Sequence, residues 1–250
     1  EGRTDEISLL AGQINQMARN TQDLLSRVHR ENERKRRYEL SYLQLQMQPH
    51  FLYNTLETLC GMIEMNNKSE AIGLVSLISS FYRDTLGKGK EIITLEQELK
   101  ITCGYLKIMQ KRYPGCFYFE TSLEPEVLSC SIPKLTLQPL VENAIYHGME
   151  FMDGDGEIRI RAWRKDKDLF MSVSDNGLGM TLEQVKRLFG DTDHVPSGRG
   201  SGIGVKNVNQ RIRLYFGNGY GLEIQSEPDE GTTVTAHLPA IPYGEVKKEG

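Results

Sequence analysis

Three short segments in the second half of the chain constrain its fold more than any other feature. They are LQPLVENAIYHG at residues 137–148, DNGLGM at 175–180 and GRGSGIGVKNVNQR at 198–211. They lie among strand-like runs such as EIRIRAWR and LFMSVSDN, with helical runs between them. Strands grouped mostly late in the chain, with helices between them, predict an α+β two-layer sandwich.

The first segment carries Glu142 and Asn143 side by side on a predicted helix. An asparagine oxygen suits Mg²⁺, which keeps most of its waters and bridges phosphate groups. The carboxylate of Glu142 suits a base or a group that orients water. Considered alone, an ordinary exposed pair on a helix explains these two residues better.

The second segment places Asp175 at the end of a predicted strand, directly before two glycines. A carboxylate at this position can accept a hydrogen bond from an exocyclic amine such as that of adenine. Gly177 and Gly179 would let the backbone approach a flat ring closely. Considered alone, the D-N-G sequence is also typical of an ordinary hairpin turn.

The third segment places Gly200, Gly202 and Gly204 before a predicted helix. Bare backbone N–H groups and a helix N-terminus together form an anion site. The segment is not a Walker A loop, because no G-K-[ST] follows, and no strand precedes it as a Rossmann fingerprint requires. A flexible linker is an equally good interpretation of the glycines alone.

In combination, the order E-N, D-x-G-x-G and G-x-G-x-G resembles the N, G1 and G2 boxes of the GHKL ATPases. That group covers histidine kinases, gyrase-type topoisomerases, Hsp90 and MutL, and GTTVTAHLP at residues 231–239 resembles the closing segment of the same fold. The resemblance covers about residues 94–241 and implies that Mg-ATP is bound, with Asn143 as the metal ligand. The nucleotide-binding residues that it implies are Asn143, Asp175, Gly177, Gly179, Gly200, Gly202 and Gly204.

The N box often carries a lysine three residues after its asparagine, where it would contact phosphate. This chain has Tyr146 at that position. Neutralisation of the phosphates must therefore come from elsewhere, and Arg199 and Lys206, which flank the glycines, are the candidates.

The first half of the chain is predicted to be helical. Over residues 1–30, apolar positions at steps of three and four fit a heptad, which favours a coiled coil with a second copy of the chain over a helix packed on its own domain. Residues 31–66 and 71–86 form two amphipathic helices separated by MNNKSE, so two hairpins from two chains would close a four-helix bundle. The apolar heptad positions are Ile7, Leu10, Ile14, Met17, Leu24 and Val28.

The segment LQLQMQPHFLYNTL at residues 43–56, taken with LQPLVENAIYHG, resembles the LytS/YesM-like family of sensor histidine kinases. The resemblance implies that His50 is the phosphoacceptor, since a neutral imidazole keeps a free ring nitrogen for in-line attack. Asn54, one turn later, would orient a water or bond the phosphohistidine, or it is purely structural. Pro49 is interpreted as a hinge that lets the helix bend.

The chain departs from many histidine kinases directly after the phosphoacceptor. An acidic residue often stands there, whereas this chain has Phe51. The proton acceptor is therefore not obvious, and Glu142 is the candidate.

The predicted domains are the end of a HAMP-like coiled coil (1–30), a dimerising phosphotransfer hairpin (31–90), an ATP-binding domain (91–242) and a tail (243–250). DEISLLAGQINQMARN resembles the last helix of a HAMP domain, which implies a membrane-spanning parent. The chain, which has no apolar run of membrane-spanning length, is then its cytoplasmic portion. Four cysteines without a C-x-x-C pair suit a reducing compartment.

The predicted function is ATP-dependent autophosphorylation of His50 and transfer of the phosphoryl group to an aspartate of a response regulator. The resemblance implies a homodimer, and a net charge of −4 gives no sign of a nucleic-acid partner. One alternative is another GHKL ATPase such as gyrase or Hsp90, although the chain ends just after the ATP fold, where those proteins continue into a long transducer region. The other alternative is a degenerate, non-catalytic dimeric signalling module.

Overall fold

The chain divides into two compact units, residues 1–46 and residues 47–250. The computed structural model describes residues 17, 22, 49–86, 90–149, 154–189 and 203–245. The predicted coiled coil over residues 1–30 therefore lies outside the described residues, except that Met17 and Gln22 are helical.

A helical hairpin opens the second unit. Helix α1 spans Pro49–Glu64 and helix α2 spans Lys68–Leu86. Asn66 lies between them with φ of 58°, a conformation that asparagine tolerates better than most residues, and Asn67 N donates to Met62 O at 2.9 Å. The predicted break in MNNKSE is confirmed, although α2 begins three residues before its predicted start.

Strand β1 (Ile92–Thr94) leads directly into helix α3 (Leu95–Arg112). A capping box begins α3: Gln97 N donates to Thr94 Oγ1 at 3.2 Å, and Thr94 N donates to Gln97 Oε1 at 3.3 Å. Both bonds satisfy N–H groups that a helix start otherwise leaves without a partner. The start of α3 is thus fixed by its own sequence.

Helix α3 packs against the hairpin through aromatic rings. The ring of Phe51 lies 5.3 Å from that of Phe81 and 5.0 Å from that of Tyr105, measured between centroids. Separations of this size are typical of favourable aromatic pairs. One apolar side of the hairpin is therefore covered within the same chain.

A mixed sheet of five strands forms the second layer. Its strands are β2 Phe117–Leu123, β4 Gly156–Lys165, β5 Asp168–Asp175, β6 Gly221–Glu227 and β7 Gly231–Pro239. Their order in the sheet is β2-β4-β5-β7-β6, with β2 parallel to β4 and every other pair antiparallel. A short antiparallel pair joins β1 to β3 (Ser131–Pro133).

Three more helices complete the unit: α4 (Gln138–Asn143), α5 (Leu182–Phe189) and α6 (Ile203–Phe216). Alternate residues of the central strands meet apolar residues of the helices, as period-two side-chain direction requires. The predicted α+β two-layer sandwich is confirmed. The buried residues that build this core include Leu137, Leu140, Ile158, Ile160, Leu169, Met171, Val205, Val208, Ile212, Val234, Ala236 and Leu238.

The chain beyond β7 returns to the start of the domain. Ser131 N donates to Ile241 O at 2.7 Å, and Tyr243 N donates to Ser129 O at 3.0 Å. The hydroxyl of Tyr243 lies 3.0 Å from Lys90 Nζ. The folded chain thus extends through Tyr243, and residues 246–250 of the predicted tail lie outside the described residues.

Candidate functional site

The start of helix α4 is held by a buried carboxylate from α3. Glu98, which is 0% exposed, accepts hydrogen bonds from Leu135 N and Leu137 N, both at 2.8 Å. Burial raises the pKa of Glu98, although these two bonds and the charge of Arg211 oppose the shift. Arg211 of α6 donates to Leu135 O, so the loop before α4 is fixed from both sides.

Neither Glu98 nor Arg211 was predicted from the sequence as part of this region. The available signal was an acidic residue within the apolar stripe of α3, between Leu95 and Thr102, where burial of a charge requires partners. The identity of those partners depends on the loop at Leu135, whose φ of 60° is uncommon for a leucine. Sequence spacing gives no access to that conformation.

Glu142 and Asn143 end helix α4 and are both half-buried. Gln138 Nε2 donates to Glu142 Oε1 at 3.0 Å. Burial nevertheless raises the pKa of Glu142 to about 7, because the lost solvation outweighs the hydrogen bond. A carboxyl group with this pKa can both accept and release a proton near neutral pH.

The helix continues beyond Asn143 as a π-helical segment, Ala144–Met149. Such segments are rare and frequently occur at functional sites. Tyr146 lies in this segment, where its hydroxyl is hydrogen-bonded to Tyr105 and accepts a hydrogen bond from Arg112. Tyr146, at the N-box position that often carries a lysine, therefore belongs to a polar cluster with the cation Arg112 of α3. Arg112 was not predicted from the sequence.

Asp175 is the last residue of β5 and pairs in register with Ile158 of β4 and Thr232 of β7. Its Oδ1 accepts a hydrogen bond from Gly177 N at 3.0 Å. Burial raises the pKa of Asp175 to about 6, against the opposing hydrogen bonds from the Gly177 and Thr232 backbones. The predicted carboxylate at a strand end is therefore present and half-buried.

The loop after Asp175 is not the turn of a two-strand hairpin, because β5 pairs with β4 and β7 and the chain continues into α5. Asn176 fixes this loop to the start of β4. Its Nδ2 donates to Asp155 O at 2.8 Å, and its Oδ1 accepts from Glu157 N at 2.7 Å.

Gly179 has a structural reason of its own. Its φ is +63°, and a Cβ added there would lie 1.9 Å from Glu227 O. Only glycine fits such close contact with the β6–β7 turn in this left-handed conformation. The glycine that was interpreted as making room for a ring thus also makes room for a neighbouring strand.

The glycine-rich segment is described only at its end. Gly200, Gly202 and Arg199 lie outside the described residues, whereas Gly204 and the half-buried Lys206 lie in the first turns of α6. A Cβ added at Gly204 would lie 3.3 Å from Pro139 Cβ, so α6 and α4 approach each other closely there. The structure thus brings the first motif and the described end of the third motif together at neighbouring helices.

His50 lies in the first turn of α1, and its side chain is outside the described residues. The next residue, Phe51, is 5% exposed and packs on Phe81 and Tyr105. An acidic residue at position 51 would place a charge in this aromatic cluster. The packing therefore explains why this chain has a phenylalanine directly after His50. Asn54, one turn after His50, is half-buried, and its carbonyl accepts from Thr58 Oγ1 at 2.9 Å.

Among the described residues, no group of three or more His, Cys, Asp and Glu side chains is placed to hold a metal ion. No helix in this part of the chain has the length and apolar character needed to cross a membrane.

Two protein-family models match the chain. The model described as histidine kinase matches residues 38–117. The model described as histidine kinase-, DNA gyrase B- and HSP90-like ATPase matches residues 133–242. The first covers α1 to α3 with His50, and the second covers α4 to β7 with Asn143 and Asp175.

The chain is also similar to curated sensor kinases. It is 37% identical to the sensor histidine kinase YesM of Bacillus subtilis (strain 168) over 201 residues, which are 80% of this chain and 33% of that protein. It is 32% identical to the sensor histidine kinase BtsS of Escherichia coli (strain K12), with the same coverage. It is 33% identical to the sensor protein LytS of Staphylococcus saprophyticus over 84% of this chain and 35% of that protein.

The chain therefore spans about a third of the length of these relatives. The matching region includes the helix of His50, the helix of Glu142 and Asn143, and the sheet with Asp175 at the end of its central strand. The chain belongs to the LytS/YesM-like family of sensor histidine kinases, and its α/β domain is of the GHKL type.

Proposed function

We propose that this chain uses Mg-ATP to phosphorylate His50 and passes the phosphoryl group to an aspartate of a response-regulator receiver domain. One observation carries the proposal. Helix α1, which bears His50, packs through Phe51 on α3 of the same unit that holds Glu142, Asn143 and Asp175. Donor site and acceptor helix thus belong to one compact fold.

The described residues fit a magnesium nucleotide. Asp175 offers a half-buried carboxylate with an acceptor position for the amine of adenine. Asn143 offers a neutral oxygen that would hold Mg²⁺, which polarises the phosphates when bound. Gly204 N–H and Lys206 at the start of α6, together with Gly200, Gly202 and Arg199, would hold the phosphate charge.

In the transfer step, a ring nitrogen of His50 forms a bond to the γ-phosphorus while the bond to the β-phosphate oxygen breaks and ADP leaves. The proton of the attacking imidazole must be accepted. Glu142 is the proposed acceptor, since its pKa of about 7 lies close to that of histidine. Asn54 would then orient a water for dephosphorylation or bond the phosphohistidine.

The proposed assembly is a homodimer in which two hairpins form a four-helix bundle, on the cytoplasmic side of a membrane-bound sensor. Seven large apolar side chains of the hairpin remain exposed although α3 covers its other side. Burying such side chains against a second copy would be favourable. They are Leu52, Tyr53, Leu56, Ile63, Met65, Ile72 and Val75.

The first test is transfer of γ-labelled phosphate from Mg-ATP to the wild-type chain, His50→Gln and the control His237→Gln. We expect an acid-labile label on wild type and control and none on His50→Gln. A label that persists on His50→Gln contradicts the phosphoacceptor. Nucleotide binding without a label favours the degenerate signalling module, and release of phosphate without a label favours another GHKL ATPase.

The second test adds an isolated receiver domain to the labelled chain. Loss of label from the kinase with its appearance on the receiver supports the transfer. A receiver domain in which asparagine replaces the phosphoacceptor aspartate should remain unlabelled. A label that stays on the kinase with every receiver domain tried contradicts this part of the proposal.

A further inference from the structure

One buried side chain contacts both the helix of His50 and the segment of Glu142 and Asn143. Tyr105 of α3 is 0% exposed, and its ring lies 5.0 Å from that of Phe51. Its hydroxyl is hydrogen-bonded to Tyr146, three residues after Asn143. The two ends of one tyrosine therefore reach the acceptor helix and the N-box segment.

The hydroxyl end of Tyr105 lies in a polar cluster inside an apolar core. Arg112, on the same face of α3 two turns later, donates to Tyr146, and its Nη1 is buried with no partner among the described residues. Burial and the nearby Glu142 raise the pKa of Tyr105 well above its usual value, so the hydroxyl stays protonated. A buried phenol keeps such a bond because losing it leaves polar groups unpaired.

We propose that Tyr105 is a positioning residue, whose ring seats Phe51 and whose hydroxyl bond to Tyr146 sets His50 at the correct distance from Glu142 and Asn143. The inference rests on the proposed function. In this role Tyr105 acts through its two neighbours, Phe51 and Tyr146. A misplacement of about 1 Å at a reacting centre is enough to slow a reaction by about 100-fold.

The distinguishing variant is Tyr105→Phe, which keeps the ring against Phe51 and removes only the hydroxyl. Tyr82→Phe is the matched control, because the hydroxyl of Tyr82 in α2 is also buried but has no hydrogen-bond partner in the described part of the chain. The measurements are the Kd for Mg-ATP and the single-turnover rate of His50 labelling at saturating Mg-ATP.

We expect Tyr105→Phe to bind Mg-ATP with a Kd within about 2-fold of wild type and to label His50 about 10-fold more slowly, within the range for small misplacements. Tyr82→Phe should match wild type in both. A labelling rate equal to wild type contradicts the inference. An equal loss of affinity and rate also contradicts it, since that result indicates a role in nucleotide binding or in folding.

A double-variant cycle tests whether Tyr105 acts through Tyr146. If one bond carries the effect, Tyr105→Phe with Tyr146→Phe should label no more slowly than the slower single variant. If the fold-loss in labelling rate of the double variant equals the product of the two single losses, Tyr105 and Tyr146 are not coupled and this part of the inference is contradicted. An unlabelled wild type contradicts the proposed function and this inference together, whereas a labelled wild type with an equally fast Tyr105→Phe contradicts only the inference.

Discussion

Gln138 Nε2 donates a 3.0 Å hydrogen bond to Glu142 Oε1, yet the carboxyl group of Glu142 has a pKa of about 7. A hydrogen bond to the ionised form lowers a carboxyl pKa, so the loss of solvation on burial must be the larger effect. The protein therefore holds a carboxyl group at the half-ionised point near neutral pH. This property has consequences for stability and for catalysis.

The first prediction concerns stability. Folding raises the pKa of Glu142 from 4.5 to about 7, so the stability that this group contributes is fully present below pH 4.5. That contribution is lost as pH rises through about 7. Glu142→Gln cannot ionise, so its Tm relative to wild type should increase between pH 5 and pH 8. Thermal unfolding at both pH values measures this, and a Tm difference that is constant with pH would contradict it.

The second prediction concerns Glu142 as a proton acceptor. Glu142→Gln should slow single-turnover labelling of His50 by about 100-fold, the lower end for loss of a general base. The wild-type rate should rise with pH through about 7, and the variant should lose the part of that rise that comes from Glu142 and keep only the part that comes from deprotonation of His50. A pH–rate profile for each protein at saturating Mg-ATP decides it. An unchanged profile in the variant would remove Glu142 from this role.

The third prediction concerns Asp175. Asp175→Asn should weaken ATP binding by about 10-fold or more, because loss of one charge-assisted hydrogen bond costs about 1.5–3 kcal/mol. Wild-type affinity should also fall below pH 6 as the carboxyl group, whose pKa is about 6, takes up a proton. Titration with ATP at pH 5.5 and 7.5 measures both effects.

The control for this prediction is Asp229→Asn. Asp229 is exposed and has a φ of 64°, which asparagine also adopts readily, so the substitution should leave nucleotide affinity unchanged. Equal affinity of Asp175→Asn and wild type at pH 7.5 would contradict the adenine contact.

The fourth prediction concerns the buried Glu98. Glu98→Gln replaces one of two acceptor oxygens by an N–H donor beside Leu135 N and Leu137 N, and it leaves Arg211 without a counter-charge. We expect a loss of about 1–3 kcal/mol in the free energy of unfolding. Denaturant unfolding measures it, with the exposed Glu96→Gln on the same helix as control. Equal stability of both variants would show that Glu98 does not hold the start of α4.

The fifth prediction separates steric clash from backbone strain. Gly179 and Gly217 both have positive φ, but an added Cβ meets Glu227 O at 1.9 Å in the first and nothing within 4 Å in the second. Gly217→Ala should lower the free energy of unfolding by about 1 kcal/mol, because only backbone strain is introduced there. Gly179→Ala should cost more and also weaken ATP binding, since the loop after Asp175 must move. Similar losses in unfolding free energy would contradict the clash.

The sequence was sufficient for features that depend on local spacing. Patterns within a few residues account for the Thr94–Gln97 capping box, the break near Asn66 and the strand-like runs that form β4 and β5. The assignment of Asn143 and Asp175 to a nucleotide site stays a prediction, which depends on motifs whose order resembles one family.

The remaining contacts depend on which segments meet in space. Tyr105 and Tyr146 are 41 positions apart, and Glu98 meets a loop 37 residues later, so no local pattern indicates either pair. Phe51 looked like the loss of a catalytic acid, whereas its environment shows that a ring is needed there. The roles of Arg199, Gly200 and Gly202 stay predictions, because these residues lie outside the described part of the chain.

The contact between Lys90 and Tyr243 means that the polypeptide enters and leaves the ATP-binding domain at almost the same point. A domain with neighbouring ends can be inserted into a surface loop of another protein, or have its ends joined and be opened at a different turn, without stretching its fold. The tight turn between β4 and β5, where Asp166 has a φ of 56°, is a natural place to reopen it. The entry and exit of this domain thus share a single small patch of its surface.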